Sequence, residues 1–188
     1  FSNYGIFLNE IGKHKESELK LKKAISLNPK YANAFYNLAV VYIDQGNLEK
    51  AELELKKAIK LKSDFAIAHY NLGFILKDKG RFKEAESHTQ KALEFDPQLT
   101  DAYLSLSTMQ GVDKSQKWHD QLFSENILKN KNNRELVNIF FARSNIFHRK
   151  KQYEESAENL INANNIKLRM HKSEANLLID KTKKLKIS

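Results

Sequence analysis

The stretch "AHYNLGFILKDKGRFKEAESHTQKALEFDP", residues 68–97, decides the fold. Two upstream stretches repeat its pattern, "ANAFYNLAVVYIDQGNLEKAELELKKAIKL" at residues 32–61 and "NYGIFLNEIGKHKESELKLKKAISLNP" at residues 3–29. The three copies align at a spacing of 34 residues. The aligned sets are Tyr4, Leu38 and Leu72; Gly5, Ala39 and Gly73; Leu8, Tyr42 and Leu76; Gly12, Gly46 and Gly80; His14, Leu48 and Phe82; Ser17, Ala51 and Ala85; Ala24, Ala58 and Ala92; Pro29, Ser63 and Pro97. A fixed period of this length is typical of a chain built from stacked repeats.

Each recurring position has a physical role in a hairpin of two helices. Apolar residues spaced i, i+3, i+4 and i+7 place one face of each helix inward. Small residues such as Gly73 and Ala85 let the two helices approach closely. A glycine such as Gly80 suits the left-handed turn that ends the first helix, and a proline such as Pro97 ends the second. Because one hairpin cannot bury both of its faces, neighbouring hairpins must stack.

These landmarks resemble those of the tetratricopeptide repeat, with its L-G-x-x-Y, turn glycine, alanine and A-x-x-x-x-P positions. The resemblance implies an all-α protein, a right-handed α-solenoid of helical hairpins. It implies three repeats in residues 1–99, at 1–31 (lacking its first few residues), 32–65 and 66–99. The incomplete first repeat predicts further repeats upstream in the parent protein.

The pattern decays after residue 99. Residues 100–133 read as a degenerate repeat or irregular helical pair, in which "GVDKSQK" breaks the period. Residues 134–170 return to the hairpin rhythm, although Lys151 replaces the turn glycine. Residues 171–188 read as a last helix or a linker, with Ser173 as its N-cap. Such a degenerate end is expected of a capping element or of a segment leading to another domain.

Composition excludes several classes of protein. The chain has 188 residues, 41% of them hydrophobic, which can supply a core. No run approaches the 18 apolar residues or more that a membrane-spanning helix requires, so we expect no membrane segment. Two prolines and six glycines leave little room for a β architecture of many turns. Absence of cysteine excludes disulfides, thiolate metal sites and a cysteine nucleophile.

The net charge of +9 raises the alternative of a helical-repeat RNA binder. Lys and Arg number 16 against 13 acidic residues in residues 1–99, 4 against 4 in 100–133 and 12 against 6 in 134–188. The surplus is therefore diffuse in the repeats and concentrated toward "KTKKLK" at the C-terminus. Interleaved Lys and Glu are typical of solvated helix faces, so the sequence disfavours nucleic acid as a partner.

The compartment is inferred from indirect signals. Absence of cysteine fits a reducing environment, and we assign the chain to the cytoplasm. The sequence opens at "FSNYG" without Met and already within a helical pattern. We therefore expect the native N-terminus to lie upstream, and targeting is left unassigned.

No pattern of catalytic, metal or cofactor chemistry stands out in the sequence. The six histidines form no H-E-x-x-H arrangement, and no G-x-x-x-x-G-K-[ST], G-x-G-x-x-G or G-x-S-x-G segment occurs. His14 and His69 are explained as aromatic substitutes at repeat positions, and the "WHD" at residues 118–120 as a buried Trp beside two surface residues. We predict a non-catalytic chain with no metal and no cofactor.

One row of polar residues points to recognition. Asn3, Asn37 and Asn71 stand one position before the Leu landmark, and we call them the asparagine ladder. In a stack of such hairpins the first helices line a concave groove, and an Asn amide both donates and accepts hydrogen bonds. The ladder could therefore pair with the peptide groups of an extended ligand, or simply reflect a common consensus residue. Flanking candidates for the groove are Tyr36, Tyr70, Asp44 and Asp78.

Two narrower resemblances refine this prediction. Some tetratricopeptide domains clamp acidic chaperone tails with Lys, Arg and Asn, but the corresponding groove positions here are Asn33, Tyr36, Ile67 and Tyr70. We therefore expect no C-terminal carboxylate ligand. The segments "NLGFILKDKGRFKEAE", "DAYLSLST" and residues 118–168 resemble the N-terminal repeat region of bacterial tetratricopeptide-sulfotransferase proteins. That family uses 3′-phosphoadenylyl sulfate in a following domain, and its phosphosulfate loop is absent from these residues.

The sequence thus predicts a scaffold that binds a protein or peptide in its concave groove. One alternative is a substrate-recruiting segment of a sulfotransferase whose catalytic domain is absent from this chain; another is the RNA binder. Self-association through the open first repeat is a further alternative, since that repeat exposes a face that another hairpin would cover.

Overall fold

The computed structural model describes the backbone of residues 1–109 and 116–185, with the side chains of all of these except residue 116 and residues 174–185. The described part is helical and contains no strand. The helices are α1 (Ser2–Glu10), α2 (His14–Leu27), α3 (Ala32–Asp44), α4 (Leu48–Leu61), α5 (Ala66–Asp78), α6 (Phe82–Phe95), α7 (Thr100–Thr108), α8 (Gln116–Phe123), a 3₁₀ turn (Glu125–Leu128), α9 (Asn133–Arg149) and α10 (Tyr153–Leu185). The chain divides into two units, Phe1–Leu99 and Thr100–Ser188. None of the described helices combines the length and the apolar character that crossing a membrane would require.

The first unit is a stack of three helical hairpins. Helices pair within hairpins as α1 with α2, α3 with α4 and α5 with α6, and hairpins pack through α2 against α3 and α4 against α5. Each hairpin contributes buried leucines to a core that runs through the stack, among them Leu8, Leu21, Leu38, Leu55 and Leu72. The predicted fold class, an all-α solenoid of hairpins, is confirmed.

The turns and close contacts follow from the residues predicted for them. Gly12, Gly46 and Gly80 end the first helices with φ angles of 76°, 73° and 73°. That backbone region is open to glycine without steric cost. At the close contact of the first hairpin, Ser17 Oγ donates a hydrogen bond to the Gly5 carbonyl over 2.6 Å.

The second unit is built around α9, which packs against α7, α8 and α10. A capping box starts α9: Asn132 accepts from the Glu135 amide, and the Glu135 carboxylate accepts from the Asn132 amide. Lys151 occupies the turn between α9 and α10 with a φ of 60°, the conformation that glycine takes in the first unit. The predicted break at "GVDKSQK" spans residues 111–117, of which 111–115 lie outside the described residues.

The prediction that Ser173 caps a last helix is wrong. α10 runs without a break from Tyr153 to Leu185, so Ser173 lies inside it. An N-cap requires the chain to leave helical geometry before the cap, and residues 153–173 contain neither glycine nor proline to cause that.

Candidate functional site

The ladder residues occupy one face of α1, α3 and α5, which we call the ladder face. Asn3 is exposed, and Asn37 and Asn71 are half-buried. The Asn37 Nδ2 atom donates to Ser2 Oγ over 3.2 Å, and the Asn71 Nδ2 atom donates to the Tyr36 hydroxyl over 3.5 Å. Both bonds join the first helices of successive hairpins, so ladder positions one repeat apart lie side by side.

The aromatic candidates are half-buried beside the ladder. Tyr36 packs against Phe65, with 5.1 Å between ring centroids. Burial raises the pKa of the Tyr36 phenol, and the hydrogen bond from Asn71 opposes that shift. Tyr70 holds the same position in the third hairpin and is also half-buried. The two tyrosines are therefore only partly accessible at this face.

The two aspartates lie exposed at the C-terminal ends of α3 and α5. Asp44 accepts a hydrogen bond of 2.6 Å from Asn9 Nδ2 of the preceding hairpin. Asp78 takes the corresponding position one repeat later. The bond to Asn9 thus occupies part of the hydrogen-bonding capacity of Asp44. The sequence pattern predicted the same role for Asp44 and Asp78.

Sequence reasoning missed an apolar row on the ladder face. Ile6, Val40 and Phe74 follow the Ser2, Tyr36 and Tyr70 position by four residues, a spacing that places them on the same side of each helix. Phe74 is nearly half exposed. This apolar row was visible in the sequence at the 34-residue spacing. It was missed because a hydrophobic residue within an apolar helix is normally assigned to the core.

Two pockets of the first unit lie at opposite ends of its first hairpin. One of about 330 Å³ lies at the ladder end, lined by Phe1, Ser2, Asn3, Ala24, Leu27 and Tyr31. A larger one of about 600 Å³ lies at the first turn, around Gly12, Lys13 and Gln45. The smaller pocket includes the ladder residue Asn3, whereas the larger is a cleft among exposed charged side chains at a turn.

Comparison with protein families identifies the repeats. Models described as tetratricopeptide repeat match residues 20–53 and 66–99, and a model described as TPR repeat matches residues 41–80. Residues 20–99 are tetratricopeptide repeats. No curated protein sequence matches the chain.

Solved structures of other proteins share the repeat fold at low sequence identity. MamA is similar with a TM-score of 0.64 and 22% identity, over 92% of this chain and 99% of that one. BtubC from P. vanneervenii gives 0.71 and 18%, over 89% and 78% of the two chains. PilF from Pseudomonas aeruginosa gives 0.63 and 19%, over 84% and 71%. At these identities the similarity shows the fold alone.

A charged cluster between the second and third tetratricopeptide hairpins was also missed. The buried Glu52 carboxylate accepts hydrogen bonds from Lys56 Nζ at 2.6 Å, Arg81 Nη1 at 2.9 Å and Lys79 Nζ at 2.9 Å. These bonds, led by Lys56, lower the pKa of Glu52 to about 2 against the opposing effect of burial. Lys79 and Arg81 flank the turn after α5, so the cluster fastens that turn to α4. Its role is structural.

The third tetratricopeptide hairpin contains a histidine pair, which no short sequence motif predicted. His69 Nδ1 lies 2.9 Å from His88 Nδ1, and His69 Nε2 lies 3.1 Å from the Ser63 carbonyl oxygen. Because the carbonyl only accepts, His69 carries its proton on Nε2, and its Nδ1 accepts from His88. Among the described residues, no group of three or more potential metal ligands comes together, and the pair is explained by packing between α5 and α6.

Proposed function

We propose that the first unit is a non-catalytic scaffold that binds an extended segment of a partner protein along the ladder face. The carrying observation is the pair of contacts from Asn37 to Ser2 and from Asn71 to Tyr36. Each contact places one asparagine against the residue that precedes the previous asparagine of the ladder, which supports reading the asparagines as one row. Each asparagine keeps a carbonyl oxygen and a second amide hydrogen with which to meet a peptide group.

The row suits an extended ligand. An extended chain rises about 3.3 Å per residue, so a peptide of several residues can pass more than one asparagine of the row.

The flanking side chains supply affinity and selectivity. Tyr36, Tyr70 and the exposed Phe74 present aromatic surface, the kind of residue that dominates binding energy at interfaces. Asp44 and Asp78 place negative charge at the end of the face, which favours a partner segment with Lys or Arg at that end. The helices hold these groups in place before binding, and this limits the entropy lost when the ligand is ordered.

The proposal is tested by locating the binding surface. Peptides are selected from a random display library on the full chain, and a selected peptide is titrated into labelled protein while backbone amide shifts are followed by NMR. We expect shifts concentrated on α1, α3 and α5 around Asn37, Asn71 and Phe74. Shifts confined to α2, α4 and α6, or to the second unit, would contradict the proposal.

A narrower form of the function links the scaffold to a sulfotransferase. It rests on the resemblance of residues 71–86, 101–108 and 118–168 to the repeat region of bacterial tetratricopeptide-sulfotransferase proteins. In this form the ladder face recruits a substrate for a catalytic domain elsewhere in the parent protein. Sequencing the downstream reading frame tests it, and a frame that ends without a phosphosulfate loop contradicts it.

Self-association through the first hairpin is a separate proposal. Tyr4 and Phe7 are each more than half exposed, whereas their counterparts Leu38 and Val41 are buried beneath the preceding hairpin. An apolar face of this kind favours association with another helix. Sedimentation velocity of the wild-type chain and of a Tyr4→Lys/Phe7→Lys variant tests this proposal. We expect the wild-type chain to form oligomers and the variant to remain monomeric.

A further inference from the structure

Asp44 and Asp78 hold the same repeat position but differ in their contacts within the stack. The Asp44 carboxylate accepts a hydrogen bond of 2.6 Å from Asn9 Nδ2 of the preceding hairpin. One repeat later, Ile43 stands at the position of Asn9, and its apolar side chain cannot donate to Asp78. Among the described residues, none donates a side-chain hydrogen bond to the Asp78 carboxylate or forms an ion pair with it. Both oxygens of this exposed carboxylate are therefore open to a partner.

The origin of this difference lies inside the array of hairpins. Ile43 is on α3 and Asp78 ends α5, so each belongs to a hairpin that packs against a preceding hairpin. The open carboxylate therefore follows from the type of residue at position 43.

An aromatic ring lies on the same side of α5 as the carboxylate. Phe74 precedes Asp78 by four residues, a spacing that makes two side chains neighbours on a helix. Phe74 is 47% exposed, and Ile43 is half-buried. The carboxylate thus stands at the edge of an apolar surface. It also lies at the C-terminal end of a helix, where the backbone carbonyl groups favour a cation.

The lysines nearest to Asp78 in the sequence are directed elsewhere. Lys79 Nζ donates to Glu52 over 2.9 Å, so its charge is held against α4. Lys77 takes on α5 the position that Ile43 takes on α3. By the relation between Asn9 and Asp44, that position lies on the side of the helix away from the preceding hairpin. The Asp78 carboxylate is therefore available to a cation of the partner.

An arginine side chain fits this arrangement better than a lysine side chain. A guanidinium group is planar, so it can stack on an aromatic ring and donate two parallel hydrogen bonds to one carboxylate. Its aliphatic stem can lie on an apolar surface such as that of Ile43. A lysine ammonium is a compact, strongly hydrated charge that gains less from the Phe74 ring.

From these observations we infer that Phe74 and Asp78 form a binding site for an arginine side chain of the partner segment, with arginine preferred to lysine. The inference rests on the proposed peptide-binding function and names the residue that the ladder face selects at the C-terminal end of α5. Asp78 supplies the charge-assisted hydrogen bonds, and Phe74 supplies the stacking surface.

A small probe tests the site without a partner. N-acetyl-L-argininamide is titrated into the labelled full chain at low ionic strength and at millimolar to tens of millimolar concentration. N-acetyl-L-lysinamide and N-acetyl-L-citrullinamide serve for comparison, since citrulline keeps the shape of arginine and lacks its charge. We expect saturable amide shifts at Ile43, Phe74 and Asp78, strongest for arginine and weakest for citrulline. Absence of saturable shifts at Phe74 and Asp78 with the arginine probe would overturn the inference.

The matched variants are Asp78→Asn and Asp64→Asn. Asp78→Asn removes the carboxylate from the site and should weaken the arginine probe by at least about tenfold. Asp64→Asn makes the same chemical change at an exposed residue between α4 and α5 and should leave the affinity unchanged. Equal weakening by both variants would indicate a general effect of net charge and overturn the inference.

A third variant supplies the missing internal partner. Ile43→Asn places at position 43 the residue that Asn9 provides one repeat earlier, and its amide should donate to Asp78. The arginine probe should then bind at least about threefold more weakly, although Phe74 and Asp78 are unchanged. The unfolding midpoint of the variant separates an occupied carboxylate from a damaged fold. Wild-type affinity in a folded Ile43→Asn variant would overturn the inference.

Selected peptides separate this inference from the proposed function. Peptides that bind the ladder face without an arginine, and bind Asp78→Asn equally well, would support the scaffold and overturn the arginine site. If no peptide binds the ladder face, the scaffold proposal fails, and the arginine probe still decides whether Phe74 and Asp78 take a guanidinium group.

Discussion

Glu52 carries a charge that joins the second hairpin to the third. Its carboxylate is buried and accepts from three cationic side chains, two of which belong to the next hairpin. Neutralising it would leave Lys79 and Arg81 without their inward partner. The turn after α5 would then lose its attachment to α4.

We predict that Glu52→Gln lowers the free energy of unfolding by about 2 kcal/mol near neutral pH. The folded pKa lies below that of the unfolded chain, so this stability is present above about pH 4.5 and lost as pH falls toward about 2. Urea unfolding of wild type and variant across that window measures both effects. Glu54→Gln is the control, because the ion pair of Glu54 is with Lys57 on its own helix and does not join two hairpins. A loss as large as that of Glu52→Gln would refute the account.

The histidine pair acts in a different pH range. Burial, and then the nearby His69, lower the pKa of His88 to about 4, and burial also lowers that of His69. Lys91 and Lys56 add to the shift of His88, and Glu84 opposes it. Both rings are therefore neutral in the folded protein at neutral pH.

We predict that stability declines as pH falls from about 6.5 to about 4, since the unfolded chain binds the His88 proton more readily than the folded chain. After allowance for solvent screening, the loss is about 1 kcal/mol. His88→Gln keeps a donor for His69 and should remove most of this dependence in urea unfolding. An unchanged pH profile in the variant would show that the pair does not control it.

Glycine is required at position 73 by close packing and not by its backbone conformation. A methyl group there would collide with the Thr89 hydroxyl and lie 3.0 Å from the Ala85 carbonyl oxygen. Thr89 has no free space, since it is buried and donates to that same carbonyl over 2.7 Å.

We predict that Gly73→Ala destabilises the protein by about 1–3 kcal/mol, because overpacking outweighs the gain of about 1 kcal/mol in helix propensity. Ala39→Gly at the same position of the second hairpin should also destabilise, through lost propensity and lost contact. Thermal unfolding of the two variants checks this. Stabilisation by Gly73→Ala would mean that α5 and α6 are less closely packed than described.

At the level of elements, the sequence predicted regular features better than exceptions. Turn glycines and small contact residues recur at fixed spacing, so Gly12, Gly46 and Gly80 were placed correctly. The cap at Ser173 was wrong because a cap depends on what precedes it, and the preceding turns of α10 continue as helix. The partners of Glu52 and His88 come from other helices, and only packing brings them together.

Arg143 occupies a repeat position where the sequence pattern predicts leucine. With Lys151 aligned to Gly80, Arg143 falls where the first unit has Leu72. It donates from Nε to the Leu122 carbonyl at 2.9 Å and from Nη2 to the Ser124 carbonyl at 3.2 Å. Burial lowers the pKa of its guanidinium. The arginine thus joins α9 to the end of α8, a role that a leucine could not fill.

We predict that restoring the landmark with Arg143→Leu destabilises the protein by about 1–3 kcal/mol, because two carbonyl groups lose their donor. Arg134→Leu is the control, since Arg134 is exposed and meets Asp101 only at 3.8 Å; its effect should stay within about 0.5 kcal/mol. Urea unfolding compares the two. If Arg143→Leu stabilises the protein instead, the repeat leucine contributes more to stability at this position than the hydrogen bonds of Arg143, and the prediction is wrong.

For the whole molecule, the 34-residue period predicted the stack because each hairpin leaves an apolar face that only another hairpin covers. The asparagine ladder was visible at the same spacing. Its contacts with Ser2 and Tyr36 were not, since they depend on the distance between successive first helices. Because the partners in these contacts are hydroxyl groups, the amide donors of Asn37 and Asn71 can be removed without breaking the contacts within the stack.

The affinity of a selected peptide for Asn37→Asp/Asn71→Asp tests the central claim most directly. The Ser2 and Tyr36 hydroxyls can donate to the new carboxylates, so the internal contacts survive, but the amide donors to the peptide are lost. The control is Asn164→Asp/Asn165→Asp, the same chemical change at exposed positions on α10. We predict binding at least about tenfold weaker for the ladder variant and unchanged for the control. Equal affinity of both variants and wild type would contradict recognition by the ladder face.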